Sequence, residues 1–434
     1  MALCKTRLRQ SSIVNRQSPN EPKPPLCRNM PEPRSAPAAF PVLAVAAALA
    51  LGAAVSLGLA RFAYALLLPP MRADLGWSYL TAGAMNTSNA AGYLAGALLM
   101  PMVLRRFGAR AAFLGGGIGA ALLLVAHGVA RTDASLYTLR FLTGLASAAT
   151  FVAGGLLAAR LVGQSSAPGD GRSAPSAGLV LGIYYGGAGA GIAASALLVP
   201  PLCALPVAHA WGWAWVALGV MAAAAMAIAA WVTRGIGTSQ VGVAVRGHWQ
   251  WQRFGFGLAS YFLFGLGYIG YMTFAVTLLR EQHLDAATIT AFFALLGLAA
   301  VASPWLWAGL LQRQRGGRAM GVLNALLAMA TLLPVLSAHP VAVFASGLLF
   351  GAVFLSVVAS TTALVRHNLP AAAWPAGISA FTILFAAGQI VGPSLVGWVA
   401  DGAGGLRTGL AVSAAVLALG ALLAVGQRPL DRLS

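Results

Sequence analysis

Long apolar stretches, separated by short polar loops, follow one another along the chain from residue 42 onward. A helix of about 20 apolar residues can cross the hydrocarbon core of a bilayer, which is roughly 30 Å thick. The chain has twelve such stretches, and the boundary between the ninth and tenth rests on Ala338-His339-Pro340 alone. The pattern predicts an all-α integral membrane protein with transmembrane helices at 42–69, 79–104, 111–130, 136–161, 178–201, 211–233, 254–279, 288–311, 318–338, 340–365, 376–400 and 406–427.

The segments outside these stretches have a different composition. Residues 1–41 combine many prolines with Lys, Arg and Ser, which predicts a disordered tail. The first apolar stretch begins too late and is too long for a secretory signal, so we expect the tail to stay in the cytoplasm, with Met30 as an alternative start. The predicted organisation is a tail (1–41), a first six-helix half (42–233), a cytoplasmic linker (234–253), a second six-helix half (254–427) and a cytoplasmic tail (428–434).

The basic residues indicate which side of the membrane each loop occupies. With both termini in the cytoplasm, 21 of the 27 Lys and Arg residues fall on the cytoplasmic side, four fall in outer loops and two fall within helices. The positive-inside rule favours this orientation, and we expect the protein in the bacterial inner membrane. The net charge of +18 is therefore explained by the membrane topology, and we expect no nucleic-acid partner. The three cysteines, Cys4, Cys27 and Cys203, lack the spacing of a disulfide framework or metal site, so we expect neither, and no cofactor.

The two predicted halves carry an internal repeat. Segments of the first half match segments of the second half at an offset of 207 or 208 residues, which indicates a duplication. Parallel repeats of this kind form transporters whose substrate site lies between the halves, near the middle of the membrane. The matching pairs are Gly58–Tyr64 with Gly265–Tyr271, Arg105–Arg110 with Arg313–Arg318, and Gly144 with Gly351.

Several motifs resemble those of the major facilitator superfamily, over about residues 40–427. Arg105–Arg110 resembles the family's signature between helices 2 and 3, although Pro101 and Arg105 replace the usual Gly and Asp. Arg140–Gly144 resembles the Arg-x-x-x-Gly motif of helix 4, and Gly388–Pro393 resembles the glycine-proline break of helix 11. The stretches 58–69, 89–96, 261–274 and 347–366 resemble the YbfB/YjiJ subfamily more closely.

The resemblance implies a twelve-helix fold of two pseudo-symmetric six-helix halves, with helices 1, 4, 7 and 10 lining a central cavity. It also implies a cytoplasmic gate in the loop of Arg106, Gly108 and Arg110, and in the matching loop of Gly316 and Arg318. Because the usual Asp is absent, we expect this gate to rest on arginines and helix ends. Helices 5 and 11 are rich in glycine, and we expect them to provide the sliding surfaces of alternating access.

Arg61 lies inside the first apolar stretch, in the sequence Gly58–Tyr64. An arginine at the middle of a membrane helix costs roughly 2.5–3.5 kcal/mol on insertion scales, so such a residue suggests a ligand site. The alternative is that its long side chain reaches toward the headgroups. Arg140 lies in the fourth stretch, where it could bind a ligand, reach the outer interface or hold neighbouring helices together.

No Asp or Glu lies within any predicted helix, so neither arginine has an acidic partner there. A planar guanidinium binds a carboxylate or phosphate through two hydrogen bonds, and we therefore expect an anionic substrate. Further polar residues could contact the substrate or form hydrogen bonds between helices. These candidates are Tyr64, Asn86, Asn89, Tyr93, Tyr184, Tyr185, Tyr268, Tyr271, Thr273 and Gln389.

These observations favour a monomeric secondary active transporter that moves a small organic anion through the lipid bilayer by alternating access. Export of uncharged or hydrophobic compounds, and a membrane sensor, are the alternatives. The spans contain no cluster of catalytic residues, so we do not expect an enzyme. Protons are a candidate coupling ion, with His127 and Asp74 as the residues that could carry them.

Overall fold

The apolar stretches form helices in a computed structural model that describes residues 40–165, 176–235, 251–370 and 373–430. Eleven helices of the described residues are long and apolar enough to cross a membrane. The longest, Tyr79–His127, is interrupted at Gly108, where φ is 77° and ψ is 165°. Its arms, 79–107 and 109–127, correspond to the second and third predicted helices, and the twelve-helix prediction is confirmed.

The helices are numbered in chain order, with the two arms of Tyr79–His127 counted separately. The first helix continues through Pro69 and Pro70 to Leu75, beyond its predicted end at residue 69. The bounds are α1 (Val42–Leu75), α2 (79–107), α3 (109–127), α4 (Asp133–Ser165), α5 (Ala177–Cys203), α6 (Ala210–Val232), α7 (Gly255–Glu281), α8 (Ala286–Leu306, continued by Ala308–Arg313), α9 (Arg318–Leu336), α10 (Pro340–Asn368), α11 (Trp374–Ala400) and α12 (Gly405–Gly426).

Most of the predicted tail (1–41) lies outside the described residues, as do residues 236–250 of the predicted linker and 431–434 at the carboxyl terminus. Thr233–Gly235 and Trp251–Phe254 form short 3₁₀ helices at the two ends of that linker. The boundaries assigned to the tails, halves and linker stay predictions.

Consecutive helices alternate in direction, so their connections gather at two ends of the bundle. One end, called the acidic end below, carries all five acidic residues of the described chain: Asp74, Asp133, Glu281, Asp285 and Asp401. The opposite end, called the basic end, carries most of the described arginines, including Arg105, Arg106, Arg110, Arg234, Arg253, Arg313, Arg315, Arg318, Arg366 and Arg428.

Small residues allow the helices of the two halves to pack closely. A Cβ atom at Gly189 of α5 would overlap the carbonyl oxygen of Gly297 in α8, and one at Gly83 of α2 would overlap that of Pro393 in α11. The pairs α5–α8 and α2–α11 therefore join the halves. Close approach of backbones through glycine is the usual way in which membrane helices gain contact area.

Hydrogen bonds close the contact between the halves at the acidic end. The carboxylate of Asp401, which directly follows α11, accepts from the backbone N–H groups of Tyr79 and Leu80, at 2.8 and 2.9 Å, and so caps the start of α2. The Tyr79 hydroxyl also donates to Glu281 of α7. The guanidinium carbon of Arg72 lies 3.7 Å from the centre of the Tyr79 ring. These contacts join α1 and α2 to α7 and α11.

Arg140 of α4 is buried in a second network. Its Nη1 donates to the carbonyl of Ala60 at 2.9 Å, and its Nη2 donates to Oδ1 of Asn86 at 3.1 Å. The Asn86 amide in turn donates to Oγ1 of Thr273 in α7 at 2.7 Å. The Tyr64 ring centre lies 4.7 Å from the guanidinium carbon. Arg140 thus connects α4 with α1 and α2, and through Asn86 with the second half.

Replacing Gly187 with Ala should destabilise the protein, whereas the same change at Gly178 of the same helix should not. A Cβ at Gly187 would overlap the carbonyl oxygen of Ala50 in α1, whereas a Cβ at Gly178 would meet nothing within 4 Å. Overpacking costs about 1–3 kcal/mol, whereas Gly→Ala at an open helical position is neutral or slightly stabilising. Thermal unfolding of the two purified variants measures the difference, and equal midpoints would contradict the packing described here.

Arg140→Lys should lower the free energy of unfolding by about 1–3 kcal/mol, because an ammonium cannot reach two acceptors that lie in different directions. Thermal unfolding in detergent measures the loss. Arg407→Lys is the matched control, since Arg407 is exposed at the acidic end and its replacement should change stability by less than about 0.5 kcal/mol. An Arg140→Lys variant as stable as this control would show that the network does not hold the helices.

Candidate functional site

Wide helical turns in α1 position Arg61. Residues Ala54–Phe62 form a π-helical segment, and the N–H of Ala63 donates to the carbonyl of Gly58, five residues earlier, at 2.9 Å. Such segments occur often at functional sites, because the extra residue in the turn redirects the side chains that follow. Gly58 permits close packing here, since a Cβ on it would lie 2.5 Å from the Cα of Gly191 in α5.

A chain of hydrogen bonds links Arg61 to the second half. Arg61 is only 3 % exposed, and its Nη2 donates to Oε1 of Gln389 in α11 at 2.5 Å. The Nε2 of Gln389 donates to the hydroxyl of Tyr268 in α7 at 2.6 Å. Arg61 and Tyr268 are equivalent positions of the internal repeat, so a single amide joins the equivalent positions of the two halves.

The Arg61 guanidinium has unused hydrogen-bonding capacity. Its bond to Gln389 is its only hydrogen bond to the described part of the chain, and its buried Nε has no partner there. The described residues place no carboxylate within ion-pair distance of it. The Tyr93 ring centre lies 5.5 Å from the guanidinium carbon, which is close enough for a cation–π contact.

A cavity of about 380 Å³ extends from Arg61 and Gln389 to the basic end, where the lining residues Gly178 and Arg366 are exposed. The contacts of Asp401 and Glu281 close the opposite end. As far as the described residues form it, the cavity therefore opens toward the basic end. Eight aromatic residues of the described chain line it: Phe62, Tyr93, Phe151, Tyr185, Phe264, Tyr268, Phe354 and Phe385.

Stacked rings form one wall of the cavity beside Tyr268. The ring centres of Phe264, Phe385 and Phe354 lie 4.7, 5.6 and 6.3 Å from that of Tyr268, with interplanar angles of 20° or less. Among the described residues the lining contains no Asp, Glu or His, and its two cations there are Arg61 at the inner end and Arg366 at the mouth. This arrangement can hold an anionic group beside Arg61 and an apolar or aromatic body against the rings.

The structure divides the predicted binding residues into two groups, and their roles in substrate binding stay predictions. The first group lines the cavity: Arg61, Tyr93, Tyr185, Tyr268 and Gln389. The second group lies outside this lining: Tyr64, Asn86, Asn89, Arg140, Tyr184, Tyr271 and Thr273.

Members of the second group make hydrogen bonds between or within helices. Tyr64 donates to the carbonyl of Ala82 at 2.8 Å, and Tyr184 donates to that of Phe151 at 2.5 Å. The Tyr271 hydroxyl pairs with Ser346 at 2.5 Å. Asn89 donates to the carbonyl of Arg140 at 3.0 Å. These hydrogen bonds hold neighbouring helices together.

Sequence reasoning did not single out the phenylalanines of the wall or Arg366 as site residues. The sequence spacing could have identified two of the phenylalanines. Phe264 precedes Tyr268, and Phe385 precedes Gln389, by one helical turn, which places each pair on one face of its helix. Phe354 and Arg366 lie on α10, which the family resemblance placed at the cavity. Phenylalanines are so common in membrane helices that composition alone does not distinguish those of a cavity.

All five predicted gating residues lie at the basic end, where the cavity opens. Gly108 forms the break between α2 and α3, and Arg106 and Arg318 are exposed. Arg110 donates to the carbonyls of Thr233 and Ala230 at the end of α6, at 3.0 and 3.1 Å. Gly316 packs beside the carboxyl-terminal end of α12, because a Cβ on it would lie 2.9 Å from the carbonyl oxygen of Gln427. Their gating role stays a prediction.

Neither candidate for proton coupling lines the cavity. His127 is fully buried, with its Nδ1 2.7 Å from the carbonyl oxygen of Leu123 and its ring stacked on Trp215. Asp74 lies at the acidic end, where its Oδ2 contacts Nδ1 of His209 and Nε1 of Trp211, both at 2.5 Å.

Solved transporter structures share the fold. The crystal structure of the nucleoside transporter NupG is 12 % identical, covers 89 % of this chain and 98 % of its own, and has a TM-score of 0.65. A bacterial homologue of the human lysosomal transporter Spinster, in an inward-facing and unoccupied conformation, is 15 % identical, covers 88 % of this chain and 95 % of its own, and has a TM-score of 0.67. At these identities the likeness concerns the fold alone.

The sequence itself matches one family. No curated protein sequence matches the chain. A family model described as "Uncharacterised MFS-type transporter YbfB" matches residues 53–425, which is most of the chain. This protein, with its twelve-helix fold and central cavity, therefore belongs to the YbfB-type transporters of the major facilitator superfamily and is a multi-pass membrane transporter.

Proposed function

We propose that this protein is a secondary active transporter of small organic anions. In this proposal a carboxylate of the substrate binds Arg61, and the apolar or aromatic body of the substrate lies against the rings of the cavity. The observation that supports it most is the buried Arg61 guanidinium, which lines the cavity and has no carboxylate partner among the described residues.

The electrostatic argument starts from desolvation. A buried charge is destabilising unless hydrogen bonds or an opposite charge compensate it. Within the described chain Arg61 has one hydrogen bond, to a neutral amide, and a cation–π contact with Tyr93. A bound carboxylate would supply the missing charge and could accept two parallel N–H bonds from the guanidinium.

The dimensions and lining of the cavity support a particular size and shape of substrate. A volume of about 380 Å³ is at the lower end of the usual range for small-molecule sites. Flat rings beside Tyr268 provide a surface on which a planar substrate can stack, a contact worth about 0.5–1.5 kcal/mol beyond area burial. We therefore infer a carboxylate that carries one aromatic ring or an apolar group of similar size.

The position of Gln389 suggests how binding is coupled to movement. Arg61 belongs to the first half and Gln389 to the second, so their hydrogen bond joins the halves at the inner end of the cavity. A substrate carboxylate would compete with the Gln389 carbonyl for Nη2 of Arg61. Binding would then replace a direct bond between the halves with a bridge through the substrate, as alternating access requires.

The charge asymmetry supports an orientation. Because the basic end carries most of the described arginines, we place it and both termini in the cytoplasm, in the bacterial inner membrane. The cavity of this conformation would then face the cytoplasm. We expect the monomer to be the transporting unit, since the cavity lies within one chain. Protons stay a candidate coupling ion, without a carboxylate or histidine in the described lining to carry them.

A neutral aromatic substrate is the second candidate. The aromatic wall would serve it equally well, and Gln389 already occupies one N–H group of Arg61. Under this alternative Arg61 would act in holding the halves together rather than in substrate recognition. The two candidates differ in whether the charge of the ligand matters.

Wild-type protein should be stabilised by an aromatic carboxylate but not by the amide of the same acid. Phenylacetate and phenylacetamide begin a panel of such acid–amide pairs, and the shift in the thermal unfolding midpoint is the measurement. Arg61→Gln should weaken binding of the acid by about 10- to 100-fold, since a hydrogen bond to a charged group is worth about 1.5–3 kcal/mol. Arg61→Lys should retain part of the affinity for the acid, because lysine keeps the positive charge but lacks the planar guanidinium that can donate two parallel hydrogen bonds.

Two tyrosines of α7, one helical turn apart, provide the matched control. Tyr268→Phe removes a hydroxyl of the cavity, whereas Tyr271→Phe removes one that contacts Ser346 outside it. Only the first change should weaken ligand binding. If the amide stabilises wild type as well as the acid does, or if Arg61→Gln binds the acid normally, the anionic-substrate proposal is wrong.

The proposed orientation predicts which surface residues a membrane-impermeant thiol reagent can reach. In a variant without the three native cysteines, Arg407→Cys at the acidic end should react in intact cells. Arg105→Cys at the basic end should react only after the membrane is permeabilised. Both positions are exposed in the structure, so a difference in labelling reports sidedness rather than burial. The opposite pattern would place the termini outside.

A further inference from the structure

A second cavity lies at the basic end, apart from the central one. Its volume is about 530 Å³, and its lining includes two arginines, Arg253 before α7 and Arg428 after α12. Phe256 and Val425 also line it. None of its lining residues belongs to the central cavity.

A buried glutamine holds the backbones of the two arginines in place. Gln427 is 4 % exposed, and its Nε2 donates to the backbone carbonyls of both Arg253 and Arg428, each at 3.0 Å. Its Oε1 accepts from the N–H of Gly257 at 3.1 Å. One amide thus fixes the relative position of two chain segments that are 175 residues apart in sequence.

Further bonds fix the segment that follows α12. The carbonyl of Gln427 accepts from the N–H of Gly317 at 2.8 Å, and the N–H of Leu430 donates to Oδ1 of Asn368 at 2.7 Å. Asn368 also donates to the carbonyl of Arg315 at 2.7 Å. Arg428 lies between these two anchored points, so its backbone is held on both sides.

The two guanidinium groups have no described acidic partner. All five acidic residues of the described chain lie at the other end of the bundle, and the structure records no ion pair for Arg253 or Arg428. Two cations that line one cavity repel each other, and an anion between them removes the repulsion. A phosphate suits them, because guanidinium groups bind its oxygens through paired hydrogen bonds.

The apolar surroundings indicate the source of the phosphate. Phe256 and Val425 are 54 % and 59 % exposed, and Trp251, close to Arg253 in sequence, is 59 % exposed. Exposed aromatic and aliphatic groups beside arginines at a helix end are typical of the headgroup region of a membrane. Basic pockets between transmembrane helices on the cytoplasmic side bind anionic lipid headgroups.

We propose that Arg253 and Arg428, positioned by Gln427, bind the phosphate of an anionic phospholipid whose acyl chains lie along Phe256 and Val425. The site connects the end of α12 with the start of α7. Occupation of the site should therefore stabilise the second half of the bundle.

Binding of phosphatidylglycerol to the full-length protein in mixed micelles tests the proposal, by native mass spectrometry and by the thermal unfolding midpoint. Phosphatidylglycerol should raise the midpoint more than phosphatidylcholine does. The double variant Arg253→Gln/Arg428→Gln should bind it about 10- to 30-fold more weakly, which corresponds to the loss of two surface cations near a lipid phosphate. Arg253→Lys/Arg428→Lys, which keeps the charge, should lose less.

The matched control is Arg105→Gln/Arg313→Gln, which removes two exposed arginines from the same end but outside the cavity. It should bind phosphatidylglycerol as wild type does. Equal loss in both double variants would show a diffuse charge effect and overturn the site. Inorganic phosphate is the second probe, and a full stabilising shift from phosphate without lipid would overturn the lipid assignment in favour of a free anion. Equal shifts with phosphatidylcholine would overturn it as well.

Discussion

The central constraint on this protein is the buried charge of Arg61 in an apolar bundle. A cation in a membrane needs hydrogen bonds, water or an opposite charge. The fold supplies a neutral amide from Gln389 and the face of Tyr93, and it leaves the buried Nε without a partner among the described residues. The π-helical turns of α1, the close packing of Gly58 on α5 and the aromatic wall all serve to place this partly satisfied cation beside a cavity.

Arg140 shows what a structural arginine looks like in the same environment. It is as deeply buried as Arg61, but its two terminal nitrogens are bonded to Ala60 and Asn86, and the aromatic rings of Tyr64 and Trp215 lie within 6 Å. It lines no part of the central cavity. The buried Nε of each arginine has no partner among the described residues, so the difference lies in the terminal nitrogens: both of them donate in Arg140, whereas one donates in Arg61.

The helices, their number and the positions of Arg61, Tyr268 and Gln389 could be predicted from the sequence, because hydropathy and charge determine which segments span a bilayer. The match of Arg61 with Tyr268 in the repeat anticipated two positions that the structure joins through Gln389. The direction of individual side chains could not be predicted. Tyr184 and Tyr185 are neighbours, yet only Tyr185 lines the cavity, and the π-helical turns that orient Arg61 leave no recognisable signal in sequence.

The loop at the basic end lacks the acidic residue of the family's gate, which is why its predicted gate rests on arginines and helix ends, and that role stays a prediction. The structure places its carboxylate contacts between the halves at the opposite end. Asp401 and Glu281 join the halves at the acidic end, whereas the described residues of the basic end contribute cations and helix-end carbonyls.

The two ends must therefore close by different means. Closing the basic end would bring Arg366 at the mouth nearer to Arg61, with no acidic side chain in the described lining to offset the repulsion. An anion bound in the cavity would offset it. If the substrate is an organic anion, the negative charge that binds Arg61 also offsets the repulsion between Arg61 and Arg366. The empty transporter would then close its basic end less readily than the loaded one.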